Sequence, residues 1–286
     1  MTSPLIDAQT LSARLEDPQW VVVDCRFRLT QPDAGLEMYK QAHIPGARYA
    51  HLDQDLAASP RPEEGRHPLP SPEAFKATIE ELGISNSSNV VAYDDASGAI
   101  AARFWWMLRW VGHDAVFVLD RGIQGWGKAS LPLESTDPTW ESAQFSLGQV
   151  REDWIVKTRD IPGELAQGAT LVDARSPERY AGQEEPIDPI AGHIPGAVNY
   201  PFSLALDSAG AMRDSGELRR ELEPFTQGPR GLIATCGSGV TACHLLLAVK
   251  AAGLGDGRAY IGSWSEWIRD PGREIETEGT TSDSGS

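Results

Sequence analysis

Two motifs occur twice in this chain, in the same order, and this repetition limits its fold more than any other feature. The first is Val22-Val23-Asp24-Cys25-Arg26, which returns as Leu171-Val172-Asp173-Ala174-Arg175, and the second is His43-Ile44-Pro45-Gly46-Ala47, which returns as His193-Ile194-Pro195-Gly196-Ala197. Later in each half, a register without a gap pairs Gly98 with Gly239, Arg103 with His244, Gly112 with Gly253 and Trp126 with Trp267. Repetition at a long, nearly constant spacing indicates copies of one structural unit. We therefore expect two copies of one fold.

Each copy alternates short apolar runs with segments of helical periodicity. In the first half this pattern predicts helices at residues 6–16, 73–82 and 100–111, with Asp7 as the cap of the first helix. Strands are predicted at residues 21–24, 90–93 and 116–119. Alternating strands and helices are typical of a parallel sheet covered on both faces. The predicted fold class is α/β, with two tandem domains that each contain a mainly parallel sheet flanked by helices.

The length of 286 residues suits two domains of about 100–150 residues each. Residues 133–150 are polar and have no clear period, so we interpret them as a linker. They separate an N-terminal domain at residues 1–132 from a C-terminal domain at residues 151–271. Residues 272–286 are mainly Glu, Thr, Ser and Gly, and this composition predicts a disordered tail.

The charge and the cysteines exclude several classes of function. A formal net charge of −16 disfavours nucleic acid and anionic membranes as general partners, although a local cluster of donors can still bind a small anion. No leader pattern and no apolar run of membrane-spanning length occurs, so we expect a soluble, cytoplasmic protein. The 3 cysteines form no Cys-x-x-Cys pair and no zinc-like spacing. We therefore expect no disulfide framework, no metal and no organic cofactor.

Cys236 lies in a glycine-rich turn between a predicted strand and a predicted helix. The apolar residues 231–233 precede it, and a helical pattern follows at residues 242–252. A helix N-terminus carries partial positive charge, and the glycines that flank the loop serine allow successive N–H groups to turn toward an anion. Both effects favour thiolate over thiol, so Cys236 is a candidate nucleophile. The alternative is an inert, buried cysteine.

The segment from Cys236 to Thr241, Cys-Gly-Ser-Gly-Val-Thr, resembles the active loop of the sulfurtransferases of the rhodanese superfamily. It is more similar to the loop of the 3-mercaptopyruvate enzymes than to that of the thiosulfate enzymes, which usually carries basic residues after the cysteine. The resemblance covers nearly the whole chain and includes both His-Ile-Pro-Gly-Ala motifs and the segment Gly-Ser-Trp-Ser-Glu-Trp at residues 262–267. Asp95 is aligned with Cys236, so the first copy lacks the thiol, as in tandem members of this superfamily.

The resemblance implies a persulfide on Cys236 as the reaction intermediate. The thiolate would attack the outer sulfur of a donor, and an acceptor would then remove that sulfur. The loop N–H groups expected to hold the persulfide as an anion are those of Gly237, Ser238, Gly239, Val240 and Thr241. Ser238 is either a hydrogen-bond partner of the donor or a residue chosen for its small size. The Thr241 hydroxyl is expected to cap the helix.

The resemblance also implies a substrate-binding role for Arg179, since a guanidinium can hold a carboxylate with two hydrogen bonds. The alternative for Arg179 is a surface ion pair. Many mercaptopyruvate enzymes have a second arginine about where this chain has Ile187. His43 and Asp33 match auxiliary residues that some of these enzymes use, although a structural role in the turn is the main alternative for His43.

These residues leave more than one function open. The expected donor is 3-mercaptopyruvate, with thiosulfate as the second candidate, and the expected acceptor is cyanide, a small thiol or thioredoxin. A persulfide carrier or a regulatory module would have the same fold and loop. A related cysteine phosphatase is disfavoured, because its Cys-x5-Arg loop needs an arginine where this chain has Ala242. The two remaining cysteines, Cys25 and Cys243, are expected to be small core residues.

Overall fold

The computed structural model of the protein describes residues 3–136 and 138–278, and its strands form two separate sheets. The first half contains β1 (Leu5–Ile6), β2 (Trp20–Asp24), β3 (Arg48–Tyr49), β4 (Asn89–Tyr93) and β5 (Val116–Leu119). The second half contains β6 (Thr170–Asp173), β7 (Val198–Asn199), β8 (Leu232–Thr235) and β9 (Arg258–Ala259). The strand orders are β1-β5-β4-β2-β3 and β7-β6-β8-β9, and all neighbours are parallel.

Helices connect these strands, because parallel neighbours require a crossover. The first half contains α1 (Ala8–Ser12), α2 (Ala34–Gln41), α3 (Leu52–Asp55), α4 (Pro72–Glu81), α5 (Ala101–Trp110) and α6 (Gly122–Lys128). The second half contains α7 (Ile161–Ala166), α8 (Pro177–Tyr180), α9 (Ser215–Thr226), α10 (Thr241–Ala251) and α11 (Ser263–Trp267), with 3₁₀ helices at Glu152–Trp154, Thr158–Asp160 and Phe202–Ala205. The predicted α/β class and the two tandem units are confirmed. Over residues 3–136 and 138–278, no helix combines the length and the apolar character that crossing a lipid bilayer requires.

Helix α1 is shorter than the helix predicted at residues 6–16. Asp7 caps it as predicted and accepts a hydrogen bond of 2.9 Å from the Thr10 N–H. The helix ends at Ser12 because the chain then tightens into a turn, in which the Arg14 N–H donates to the Leu11 carbonyl at 2.8 Å.

The repeated His-Ile-Pro-Gly-Ala motifs anchor a turn in both halves. His43 is fully buried, stacks on the Tyr39 ring at a centroid distance of 4.1 Å, and places Nδ1 2.7 Å from the Tyr39 carbonyl oxygen. His193 makes the same two contacts with Tyr180, at 3.8 and 2.8 Å. The matching geometry favours the structural role for both histidines.

The segments predicted as a linker and a disordered tail both contain ordered contacts. In the linker, the backbone of Glu134 pairs with that of His43 through hydrogen bonds of 2.8 and 2.9 Å. In the tail, Glu276 pairs in the same way with His193, at 2.8 and 3.0 Å. The C-terminal unit therefore continues past the predicted start of the tail, and residues 279–286 lie outside the described part of the chain.

The two units meet along α5 and α10, the helices that follow the two aligned loops. Every residue of α5 is buried, and α10 is buried from Ala242 to Val249. Apart from Arg103 and Arg109, the residues of α5 are apolar, and a helix of this kind must be covered on all sides. Each of these helices packs against its own sheet and against the other helix, so that one hydrophobic core joins both halves. The loops that precede α5 and α10 therefore lie at the interface between the units.

Candidate active site

Two glycines shape the loop between β8 and α10, which begins at Cys236. Gly239 has a φ of +78°, and a Cβ at this position would lie 2.4 Å from the Ile261 carbonyl oxygen. A Cβ on Gly237 would lie 3.1 Å from Nη2 of Arg66. Gly239 therefore permits the turn, and Gly237 lets a guanidinium group approach the loop closely.

The loop directs carbonyl groups outward and N–H groups inward. The N–H groups of Trp264 and Ser265 donate to the carbonyl oxygens of Cys236 and Gly237 at 3.0 and 2.9 Å. The Gly239 N–H donates inward, to the Cys236 Sγ at 3.1 Å. Three further loop N–H groups have no acceptor among the residues that the structure describes, namely those of Gly237, Ser238 and Val240. Such an array of N–H groups suits an anion.

Thr241 does not cap α10, so that prediction is wrong. The N-cap position belongs to Val240, whose backbone is already helical at φ −85° and ψ −63°, and it makes no side-chain cap bond. A capping side chain needs an extended residue at this position. Thr241 instead borders the cavity beside Cys236, and the helix N-terminus keeps its N–H groups for a bound anion.

The corresponding loop of the N-terminal unit holds a carboxylate of its own. Asp94 accepts backbone hydrogen bonds of 2.7 to 2.9 Å from the N–H groups of Ala96, Gly98, Ile100 and Ala101. Asp95, the residue aligned with Cys236, instead pairs with Arg28 at 2.5 Å. A carboxylate does occupy this loop, but it comes from the residue before the aligned one. This loop therefore has neither a thiol nor room for an external anion.

Two guanidinium groups flank Gly237, one from each unit. Arg179 of α8 donates to Glu185 at 2.8 Å and to Asp188 at 3.2 Å. Arg66 lies in the proline-rich loop at residues 59–70 of the N-terminal unit and pairs with the same Asp188. Nη1 of Arg179 and Nη2 of Arg66 lie 3.5 and 3.1 Å from the position of a Gly237 Cβ, and neither has a partner within residues 3–136 and 138–278. Two free guanidinium edges of this kind can donate hydrogen bonds to an anion beside the loop.

A chain of three hydrogen-bonding side chains reaches the same loop. Nδ1 of His67 lies 2.8 Å from the Ser238 Oγ, and its Nε2 lies 3.1 Å from the Asp53 Oδ1. Burial, followed by the charges of Arg103 and Arg66, lowers the pKa of His67 to about 3. Burial raises the pKa of Asp53. The imidazole is therefore neutral at neutral pH, with Nε2 donating to the carboxylate and Nδ1 accepting from the Ser238 hydroxyl.

Sequence analysis did not identify three residues of this site, namely Arg66, His67 and Asp53. Arg66 and His67 lie in a proline-rich stretch that reads as a surface loop, and an adjacent Arg-His pair is the only local signal they offer. The structure does not bring the predicted auxiliary residues to the cavity. His43 contacts its own turn, and Asp33 directly precedes α2, where its side chain makes no cap bond.

A cavity of about 170 Å³ connects these groups. At about 30 Å³ per water molecule, its volume suits a ligand the size of a few waters. Its polar and reactive lining consists of Cys236, Ser238, His67 and the two arginines, and its apolar lining consists of Phe27, Leu29, Leu52, Ile100, Ile187 and Val240. Ile187 therefore lies at the cavity, as its position in the sequence implied, but Arg66 supplies the second positive charge.

Among the three cysteines, only Cys236 borders this cavity. Cys243, in α10, donates its S–H to the Gly239 carbonyl oxygen at 3.3 Å, and burial raises its pKa to about 12. Cys25 is fully buried in the N-terminal core, and burial raises its pKa well above the usual range. Both stay as thiols in the core, as the sequence predicted.

Comparison with known proteins identifies the fold unit and its relatives. The model of the rhodanese-like domain matches residues 7–129 and again residues 159–270. A Pseudomonas aeruginosa protein named "Probable 3-mercaptopyruvate sulfurtransferase" is 42% identical over 281 residues, which cover 96% of this chain and 99% of that protein. A Mycobacterium tuberculosis protein named "Putative thiosulfate sulfurtransferase SseB" is 36% identical over 277 residues, or 95% of this chain and 96% of that protein.

A solved structure gives the same result. The 3-mercaptopyruvate sulfurtransferase from Leishmania major superposes with a TM-score of 0.82 and 31% sequence identity, over 94% of this chain and 76% of that one. The two domain matches account for both sheets described above and for the loop with Cys236. The chain therefore belongs to the family of rhodanese-like domain proteins, in a tandem form with one cysteine-bearing loop.

Proposed function

We propose that this protein transfers sulfur from 3-mercaptopyruvate to a thiol or to cyanide through a persulfide on Cys236. The observation that carries the proposal is the hydrogen-bonded chain from Asp53 through His67 to Ser238, which ends at the loop of the cysteine. Sulfur release from 3-mercaptopyruvate requires a proton to move, and this chain can carry it. Sulfur release from thiosulfate requires no proton. The names of the relatives support the same class of reaction.

The free guanidinium edges of Arg66 and Arg179 are the proposed site for the donor carboxylate. Both approach the position of a Gly237 Cβ, at 3.1 and 3.5 Å, and two donors this close together suit a carboxylate with two oxygen atoms. With the carboxylate there, the ketone and the sulfur of so small a donor reach toward Ser238 and Cys236, which border the same cavity. Binding both ends of the donor in this way orients its sulfur for attack.

In the first step, the Cys236 thiolate attacks the donor sulfur, so that an S–S bond forms and the C–S bond breaks. The electron pair of the C–S bond leaves with the carbon as the enolate of pyruvate. The proton of the donor S–H passes to this enolate and completes pyruvate, and the sulfur remains on Cys236 as an anionic persulfide. We assign this proton transfer to the Ser238 hydroxyl and Nδ1 of His67.

In the second step, a thiolate or cyanide attacks the outer sulfur of the persulfide. The S–S bond breaks, its electron pair returns to Cys236, and the acceptor leaves as a persulfide or as thiocyanate. The inward N–H groups of the loop stabilise the anion in both states. Cyanide, a small thiol and thioredoxin remain the proposed acceptors, and a cytoplasmic location, where thiols stay reduced, is proposed with them.

The charge balance beside the loop favours 3-mercaptopyruvate over thiosulfate. Glu185 and Asp188 offset the charges of Arg66 and Arg179, so the cluster carries little excess positive charge. A carboxylate with one negative charge suits such a cluster better than the dianion thiosulfate. Thiosulfate remains the second candidate donor. A carrier that takes its persulfide from another protein would need no cavity for a small donor.

The proposal is tested by measuring kcat/KM for 3-mercaptopyruvate and for thiosulfate on one preparation, with mass spectrometry of the donor-treated protein. We expect a higher kcat/KM for 3-mercaptopyruvate and a gain of one sulfur on the Cys236 peptide. A preference for thiosulfate would keep the persulfide and overturn the donor assignment. The absence of an adduct with either donor would favour the carrier.

Loss of either arginine is expected to weaken donor binding rather than the chemical step. The variants Arg66→Met and Arg179→Met should each raise KM for 3-mercaptopyruvate at least about tenfold, because a charged hydrogen-bonding pair to the carboxylate is lost. Steady-state kinetics measures this change. Arg61→Met is the matched control, since Arg61 lies in the same loop, is exposed and, among the residues that the structure describes, pairs only with Glu63 and Glu64. Unchanged KM in both test variants would contradict this placement of the carboxylate.

A further inference from the structure

Arg103, in α5, is a buried cation without an acidic partner. Four arginines are buried in the described residues, and three of them pair with aspartates: Arg26 with Asp24 at 2.5 Å, Arg109 with Asp256 at 2.8 Å and Arg175 with Asp173 at 2.6 Å. Arg103 is fully buried, yet within residues 3–136 and 138–278 no carboxylate lies within ion-pair distance of it. An unpaired buried charge costs several kcal/mol, as an order of magnitude, so its presence requires an explanation.

The hydrogen bonds of Arg103 connect the N-terminal unit to the active loop. Its guanidinium donates to the carbonyl oxygens of Leu56 at 3.3 Å and His67 at 3.1 Å, both in its own unit. Nη1 donates across the interface to the Gly239 carbonyl oxygen at 3.2 Å. Burial lowers the pKa of Arg103, and the neighbouring Cys243 and Cys236 offset only part of this shift. An arginine remains charged in such surroundings.

The bond to Gly239 fixes the orientation of one peptide group. In a trans peptide the C=O and the following N–H point in opposite directions. Because the Gly239 carbonyl points toward Arg103, the Val240 N–H points away from it, and this N–H is one of the loop donors without an acceptor in the described residues. A cation on the carbonyl oxygen also polarises the peptide and strengthens that N–H as a donor.

The repeat provides an internal comparison. His244 of α10 is aligned with Arg103 of α5, and it makes the reciprocal contact, from Nε2 to the Ser97 carbonyl oxygen in the loop of the N-terminal unit at 3.1 Å. Burial lowers the pKa of His244 to about 4, so this contact is neutral. The loop that already holds the carboxylate of Asp94 is thus contacted by a neutral imidazole, and the loop with Cys236 by a permanent cation.

We infer that Arg103 is a positioning residue for Cys236, which holds the peptide between Gly239 and Val240 in its anion-binding orientation and places a fixed positive charge behind the thiolate and the persulfide. The inference rests on the proposed function only for the choice of Cys236 as nucleophile. The other charged or titratable groups near Cys236 and the cavity are Asp53, Arg66, His67, Arg179, Glu185, Asp188 and Cys243. Glu185 and Asp188 offset the charges of Arg66 and Arg179. Arg103 has no such counter-charge within residues 3–136 and 138–278.

Alkylation of Cys236 by iodoacetamide over a range of pH tests the inference without any sulfur donor. In the Arg103→Gln variant, the midpoint of the alkylation rate against pH should move upward by about one pH unit, the size of effect that a nearby charge produces. Arg103→Lys keeps the positive charge, so its midpoint should lie close to that of the wild-type protein. In Arg109→Gln, which removes the buried arginine near the C-terminal end of the same helix, the midpoint should stay unchanged. Peptide mass spectrometry quantifies the reaction at Cys236.

A purely structural role would lower thermal stability in both glutamine variants and leave both midpoints unchanged, and this result would overturn the inference. If Arg103→Gln does not fold, NMR of the arginine-labelled wild-type protein replaces it. Alkylation of Cys236 should then shift the Arg103 resonances and leave those of Arg109 unchanged, and an unshifted Arg103 signal overturns the inference. Failure of the donor experiment alone would leave the alkylation result intact, so the two proposals are tested separately.

Discussion

The Cys236→Ser variant is expected to lose sulfur transfer almost completely, with kcat falling by at least about 10⁴-fold for either donor. A serine hydroxyl in this loop stays protonated at neutral pH and cannot form the S–S bond that starts the reaction. The substitution is small and the site is otherwise intact, so donor binding should persist. Steady-state turnover and mass spectrometry of the donor-treated variant measure the two parts of this expectation.

Cys25→Ala is the matched control, since Cys25 is buried in the core of the N-terminal unit and does not border the cavity. It should keep wild-type turnover and still gain one sulfur at Cys236. Turnover by Cys236→Ser at the wild-type rate, or a sulfur adduct on Cys25 or Cys243 in the wild-type protein, would contradict the assignment of the nucleophile.

The second large effect is expected from His67→Gln, and it should depend on the donor. With 3-mercaptopyruvate, kcat should fall by about 10²- to 10³-fold, because the proton can no longer move through the imidazole. With thiosulfate, the change should stay within a few-fold, because that reaction moves no proton. The ratio of the two kcat values therefore reports on the proton relay separately from damage to the fold. Equal losses with both donors would contradict the relay.

The dependence of wild-type activity on pH gives a second test of the role of His67. Because burial lowers the pKa of His67 to about 3, the imidazole stays neutral from pH 9 down to about pH 5. Over this range its protonation should cause no loss of activity, in contrast to an exposed histidine with a pKa near 6.5. His113→Gln is the control variant for His67→Gln, since His113 is also buried in the N-terminal unit but does not border the cavity.

The fold was predictable because its signals are local and repeated. The motifs around Asp24 and Asp173 mark equivalent strands, and the glycine loop before α10 predicts a strand, a turn and a helix from adjacent residues. The nucleophile was predictable for the same reason. The Thr241 prediction failed because helical geometry begins one residue early, at Val240, and residue type alone does not reveal this.

The rest of the site was not predictable, because it depends on contacts between the units. Ser238 and His67 are 171 positions apart, and Arg66 reaches the loop from the same distant segment. That segment has no period and no counterpart in the repeat, so neither pattern nor alignment indicates that it is buried at a reactive site. In the same way, the alignment identified Asp95 as the counterpart of Cys236, whereas the carboxylate in the loop belongs to Asp94.

The carboxylate of Asp94 gives the two loops different thermodynamic properties. In the N-terminal unit the anion is part of the chain, so its effective concentration is fixed and no solute competes with it on equal terms. In the C-terminal unit the same kind of donor array depends on an anion from solution or on the cysteine itself. The stability of the first loop is therefore set once, by folding, while that of the second rises with the concentration of whatever anion it binds. Of the two copies of the loop, one is thus already occupied by a carboxylate of the chain, and the other can still bind an anion from solution.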